Sequence, residues 1–310
     1  MVTKLALRNT RWDDWMATPI AGDASARRYF RLTSGDASAI LMLDPPSAGN
    51  GTVIFEQIAQ RLRDHGLCAP DIYHHDPNAG VMVIEDLGGV DVASHLAKSP
   101  SDEGAIYAAI TDMLAKIGTV PATRNMVEMT HDTAAGMVDL AAIHYANRPQ
   151  AAPDIEAAIL HSFQSHVDPQ LTFAMRDFHA ENLIWRAEKN NDARIGLLDF
   201  QDACMGPVGY DLMSLLRDAR RDVSADVAAH MIEQFKRSHS SVTDAQLACI
   251  GAQRNLRILG IFSRLATTGK PHYMTLVPRV WRQLLIDLNH PSLTDLKTIV
   301  QRILPEPGST

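Results

Sequence analysis

An α+β protein in two lobes is what this sequence predicts, with a small β-rich N-terminal lobe followed by a larger, mainly helical C-terminal one. The first 88 residues read as strands with one amphipathic helix, and the apolar strand at 80–84 stops at Glu85-Asp86-Leu87-Gly88-Gly89, two carboxylates and two glycines that read as a hinge. Beyond the hinge, apolar residues recur at helical spacing. A short β-like island at 171–175, 183–185 and 194–198 interrupts the helices. Residues 1–88 are therefore expected to form one lobe and 89–310 the other.

Taken in order, 27–32 and 37–43 are β-prone runs joined by Thr33-Ser34-Gly35-Asp36, which makes a hairpin, and Pro45 and Pro46 end its second strand. Ile54, Ile58 and Leu62 recur every four residues with Glu56, Gln57, Arg61 and Arg63 between them. That pattern makes 52–65 an amphipathic helix, closed by Gly66. Helical spacing continues around 106–117, 134–145, 155–163, 210–216, 250–265 and 277–288. No internal repeat or low-complexity tract is present, and the tail from Pro305 is expected to fray.

Composition narrows the function. The chain has 310 residues, 46% of them hydrophobic, enough for two cores. A net charge of -7 argues against non-specific binding to nucleic acid or to an anionic membrane, since both need a positive field. Cys68, Cys204 and Cys249 are far apart and lack metal-ligand spacing, so they read as reduced thiols. No stretch approaches the roughly 20 apolar residues of a membrane helix. A cytoplasmic protein is expected, and nothing calls for an obligate protein partner.

The chemistry lies in the β-like island. Met175-Arg176-Asp177-Phe178-His179-Ala180-Glu181-Asn182 puts an Asp and an Asn five positions apart in a loop between two strands, and Asp199 ends the next strand in Gly196-Leu197-Leu198-Asp199-Phe200-Gln201. Phosphoryl transfer from ATP needs a carboxylate to accept the proton of the attacking hydroxyl, and hard oxygen ligands for Mg²⁺. Asp177 fits the base, and Asn182 and Asp199 fit the metal ligands. A lone Asp-x4-Asn is more often a loop pair that caps backbone. Asp199 at a strand end reverses that reading.

Arg176-Asp177 with Asn182, then Leu198-Asp199-Phe200, resembles the kinase catalytic loop and metal-binding Asp motifs. No Ala-Pro-Glu segment or long activation loop follows Asp199, so the chain looks less like a protein kinase than like the aminoglycoside phosphotransferase and choline kinase family. Within that family it resembles the bacterial anomeric amino-sugar kinases, through Gly22-Asp-Ala-Ser-Ala-Arg-Arg-Tyr-Phe-Arg31, Gly196-Leu-Leu-Asp-Phe-Gln-Asp202, the segment Tyr210-Asp-Leu-Met-Ser-Leu-Leu-Arg-Asp-Ala-Arg-Arg221 and Gln253-Arg-Asn-Leu-Arg-Ile-Leu-Gly260. The resemblance implies a two-lobed, protein-kinase-like fold, ATP and Mg²⁺ as cofactors, and a small-molecule sugar as acceptor.

The resemblance also makes Ser25 and Ala26, in Gly22-Asp23-Ala24-Ser25-Ala26, candidates to approach the ATP phosphates, although by itself that segment reads equally as a turn. Glu85, Asp86 and Leu87 become the hinge that hydrogen-bonds adenine. Asp211 either holds the backbone of the catalytic loop or caps a helix. Met42 stands where most kinases of this fold carry a phosphate-binding Lys, which leaves Glu56 without its usual partner. Arg27, Arg28 or Arg31 could supply the charge, and the reading favours Arg28; a pseudokinase is the alternative. His74, His75 and His179 read as surface or loop histidines, and Trp185 and Trp281 as packing.

For the acceptor, 251–286 carries six basic residues, Arg254, Arg257, Arg264, Lys270, Arg279 and Arg282, and no Asp or Glu. A site for polycationic aminoglycosides should be lined with carboxylates, so a neutral or anionic sugar fits better. The same residues could equally solvate helix faces or pair with acids elsewhere. An aminoglycoside kinase, another hydroxyl-compound kinase or a metal-dependent phosphohydrolase are the competing readings.

Overall fold

The computed structural model describes residues 2–20, 27–44, 51–124 and 126–308. Five strands, β1 (Met16–Ile20), β2 (Arg28–Ser34), β3 (Ala37–Leu43), β4 (Ile72–Asp76) and β5 (Val81–Glu85), form one antiparallel sheet in the order β1-β2-β3-β5-β4. β6 (Leu171–Ala174) pairs with β9 (Cys204–Pro207), and β7 (Leu183–Trp185) with β8 (Ile195–Leu197). The helices are α1 (Val2–Ala6), α2 (Gly51–Asp64), α3 (Val92–Lys98), α4 (Glu103–Ile117), α5 (His131–Gly136), α6 (Ala152–His166), α7 (Tyr210–Leu216), α8 (Ala225–Ser238), α9 (Asp244–Thr267), α10 (Val277–Leu288) and α11 (Thr294–Ile303). None is long and apolar enough to cross a membrane.

By packing, the chain divides into two compact units, 1–95 with 181–202, and 96–180 with 203–310. The β7–β8 hairpin thus belongs with the N-terminal sheet. Its ties there are local: Leu197 donates to the Cys68 carbonyl at 2.8 Å, Trp185 donates to the Val90 carbonyl at 3.0 Å, and Gly196 lies under Leu87, where an added Cβ would collide.

In the first unit, Gly35 adopts φ +57° in the two-residue turn that joins β2 and β3, a conformation glycine takes without steric cost. Strand alternation then sorts the faces. Leu32, Ala39, Leu41, Leu43, Val81 and Val83 pack on Leu7 and Trp12, with Phe30 at the margin. Met42 lies on the other face, fully buried, opposite Tyr29 on one neighbouring strand and Met82 on the other. α2 buries Phe55, Ile58, Ala59 and Leu62 along one stripe, as the four-residue spacing predicts.

In the second unit the helices expected at 106–117, 155–163, 210–216, 250–265 and 277–288 are present as α4, α6, α7, α9 and α10. The expected helix at 134–145 is broken: α5 ends at Gly136, and a π-helical turn follows at Ala141–Tyr145. The break sits where Gly260 of α9 approaches Leu140, with no room for a Cβ against the Leu140 backbone. π-turns of this kind absorb an extra residue in a helix.

Candidate active site

The β7–β8 hairpin pairs Leu183 with Leu197, and Leu198 donates to the Asn182 carbonyl at 3.0 Å. Asn182 and Asp199 therefore flank the open end of one hairpin. Asp199 sits at φ +55°, a left-handed conformation that Asp and Asn tolerate better than most residues. Its side chain accepts a hydrogen bond from Gln201 Nε2 at 2.5 Å. The next residue, Phe200, is fully buried with its ring 4.7 Å from that of Phe55 on α2. The strained turn is thus anchored on both sides.

An amide oxygen and a carboxylate on one hairpin end fit Mg²⁺, which typically takes one or two protein oxygens and completes its shell with water and substrate phosphates. Among the described residues no three or more His, Cys, Asp or Glu gather as a metal cage.

Arg27 and Tyr29 share the charge environment of Asp199. Arg27 Nε meets Asp44 Oδ2 at 3.0 Å, with Asp44 buried. Burial alone would lower the Arg27 pKa, but the bond to Asp44 and the nearby negative charges raise it overall, so the guanidinium stays charged. Burial pushes the Tyr29 phenol up to about 12. Gly51 opens α2 directly against this pair, and a Cβ there would overlap the Asp44 carboxylate and the Arg27 guanidinium.

Arg28, the residue favoured from sequence, is exposed and pairs across the hairpin with Leu43. It shares the sheet face of Leu32 and Leu41, against Leu7 and Trp12, whereas Asp199 stands among the neighbours of Arg27 and Tyr29. Arg31 is committed elsewhere, its Nε 2.7 Å from Asp86 Oδ2. Glu56 has His75 as partner, with Nδ1 at 3.2 Å. Ser25 and Ala26 lie outside the described residues.

At the expected hinge, Glu85 ends β5, donates its N–H to the Asp71 carbonyl at 2.8 Å and faces Arg186 at 3.5 Å. Asp86 is taken up by Arg31 and by the Gly88 N–H at 3.1 Å. Leu87 is buried against Gly196, and among the described residues its backbone N–H and C=O make no hydrogen bond.

Asp177 belongs to the second unit. The loop that carries it leaves β6 and is held by Asp211, whose two carboxylate oxygens accept from Met175 N–H at 2.7 Å and Arg176 N–H at 3.0 Å. Of the two roles open for Asp211 the loop-holding one is observed, since Gly209 occupies the N-cap of α7. Arg176 is at φ +73°, so these bonds hold a backbone that would otherwise relax. Ser214 donates to the Arg176 carbonyl at 3.3 Å, and Arg254 of α9 donates to Ser214 Oγ at 2.5 Å. Complete burial raises the Asp211 pKa to about 6, against the pull of its two backbone donors.

His179 departs from its sequence reading. It is buried, because the loop turns Phe178, His179 and Ala180 into the interior of the unit. Burial holds its pKa well below the ordinary range, with Arg220 and Arg254 adding to the effect. It stays neutral. Trp281 is buried, and Trp185 packs beside His95 and Arg194, as expected of packing residues. The sequence reading missed Tyr29 and Gln201; a polar side chain two positions after Asp199 was the available signal for Gln201.

Residues 17–244 match the model of the phosphotransferase enzyme family, APH. The chain belongs to this family. The N-acetylmuramate/N-acetylglucosamine kinase of Caulobacter vibrioides is 33% identical over 336 aligned residues, covering 92% of this chain and 91% of that protein. A protein with the same description from Neisseria meningitidis is 28% identical, covering 86% and 84%. Among solved structures, the choline kinase LicA from Streptococcus pneumoniae superposes with a TM-score of 0.66 at 15% identity, covering 92% of this chain and 98% of that one. An aminoglycoside-3′-phosphotransferase of type VIII gives 0.61 at 15% identity, covering 83% and 98%. The kinase-like α+β fold and the family resemblance expected from sequence are both borne out.

Proposed function

We propose that this phosphotransferase uses Mg·ATP to phosphorylate the anomeric hydroxyl of an amino sugar, N-acetylmuramate or N-acetylglucosamine. The likeness to the Caulobacter kinase, 33% identity over nine-tenths of both chains, is the observation that carries the acceptor. ATP is supported by the family, and a cytoplasmic setting suits an ATP-using enzyme with free thiols.

In this reading Asp177 takes the proton of the anomeric hydroxyl as its oxygen attacks the γ-phosphorus, and the bond from that phosphorus to the β–γ bridging oxygen breaks to release ADP. Asn182 and Asp199 hold Mg²⁺, which neutralises phosphate charge when bound. Arg27, kept charged by Asp44, provides the phosphate-facing cation in place of the Lys that Met42 replaces. The unspent backbone groups of Leu87 receive adenine, flanked by Glu85 and Asp86. Ser25 and Ala26 remain the proposed phosphate turn.

The test is ADP release from Mg·ATP with each sugar, together with phosphorus NMR of the product. A sugar 1-phosphate is expected. Phosphate on another hydroxyl, or turnover with kanamycin or choline and not with either sugar, contradicts the reading.

A further inference from the structure

The two sugars proposed as acceptors differ in one group: N-acetylmuramate carries a lactyl ether, and hence a carboxylate, on the oxygen at C3. An enzyme that prefers the acidic sugar needs a cation near its base, able to reach a group two carbons around the ring from the anomeric centre. In the second unit Arg257, on α9, is suited to that task.

α9 presents Arg254 and Arg257 three residues apart, and thus on one helix face. Arg254 is fixed: it is buried, donates to Ser214 beside the Arg176 carbonyl, and its guanidinium lies 5.2 Å from the Tyr210 ring centroid. Arg257, one turn further on, lies within the electrostatic reach of Asp177, Arg176 and Tyr210. It is half-buried, and among the described residues it has no hydrogen bond or ion pair.

Around it are further unspent polar groups. Arg254 Nε and Nη1 and the Tyr210 hydroxyl are buried without partners, in side chains 6% and 1% exposed. Buried donors of this kind carry an unrecovered desolvation cost, and a ligand that satisfies them gains what the protein has left unmade. Burial also disfavours the Arg257 charge, and Arg176 and Arg254 push the same way. An incoming carboxylate relieves both effects. The other basic residues of this stretch divide differently: Arg279 and Arg282 pair with Asp222.

We propose that Arg257 reads the carboxylate of the acceptor and so sets the preference for an acidic amino sugar over its neutral counterpart. This rests on the amino-sugar reading above and goes beyond it by naming a specificity-determining residue. Arg257 serves the ring substituent, and Asp177 the reacting oxygen.

The test compares kcat/KM for N-acetylmuramate and N-acetylglucosamine in the wild type, Arg257→Gln and Arg257→Lys, with a thermal melt of each protein. Arg257→Gln is expected to lower the ratio of acidic to neutral sugar at least about tenfold, mainly through KM for the acidic one, because a charge-assisted bond is lost. Arg257→Lys should recover part of the ratio by restoring the charge. An unchanged ratio, whether both rates fall together or neither moves, overturns the proposal and leaves the amino-sugar reading standing. Wild-type protein that turns over neither sugar overturns that reading instead. If Arg257→Gln melts far below the wild type, Arg257→Lys decides: a ratio that falls by less than about tenfold supports the charge, and a fall of about tenfold or more despite the retained charge contradicts it.

Discussion

The Leu198 amide donates to the Asn182 carbonyl, and this bond brings Asn182 and Asp199 to the same end of one two-stranded hairpin. Two residues 17 positions apart in sequence thereby become neighbouring oxygen donors. Asp199→Asn keeps the left-handed backbone that Asn also tolerates, so it isolates the loss of charge. It should lower kcat at least about 10²-fold while leaving the melting temperature close to the wild type, and raise the Mg²⁺ concentration needed for half-maximal rate. A magnesium titration of both proteins checks this.

Asp211 should give the reaction a pH dependence. Its carboxylate holds two backbone N–H groups with two oxygens, and protonation turns one oxygen into a hydroxyl that competes with them. Turnover should fall on the acid side with a midpoint near the raised value of about 6. Asp211→Asn should lower kcat and remove that limb. Because the folded-state value lies above 3.8, the folded chain keeps a proton that the unfolded chain has lost. The stability this contributes is present below 3.8 and is lost as pH rises through about 6. The gap in melting temperature between wild type and Asp211→Asn should therefore narrow from pH 5 to pH 7.

Gly51 tests the phosphate role proposed for Arg27 without touching Arg27 chemically. Gly51→Ala drives a methyl group into the Arg27–Asp44 pair and should raise KM for ATP about tenfold, as should Arg27→Gln. Arg28→Gln should not, because Arg28 lies on the Leu7 and Trp12 face. Steady-state kinetics with ATP varied distinguishes the three.

Met42→Lys restores the residue usual in kinases of this fold, yet it should not repair a site. Met42 is fully buried between Tyr29 and Met82, so a Lys there buries an unpaired ammonium. The variant should lose several kcal/mol of stability, with a Lys pKa depressed by burial. Chemical denaturation measures the loss.

The hairpin at 27–43, helix α2 and the chemistry-bearing island were legible because their patterns are local: alternation, four-residue spacing and an Asp-Asn-Asp order. β1, β4 and β9 were not. β1 is an edge strand containing Pro19, β4 is a bulged edge strand carrying two histidines and an Asp, and β9 has only Cys204-Met-Gly-Pro207 to announce it. Such segments are strands because a neighbour pairs with them, which composition does not record. The same holds for Arg27. Its partner Asp44 lies 17 residues away, and only the folded sheet separates it from Arg28.

The central claim is that Asp177 is the base of an amino-sugar kinase. Its most direct test is the rate of sugar 1-phosphate formation by Asp177→Asn, measured beside ATP affinity. Loss of turnover by at least about 10²-fold with ATP binding retained is the predicted result. An unaffected rate contradicts it.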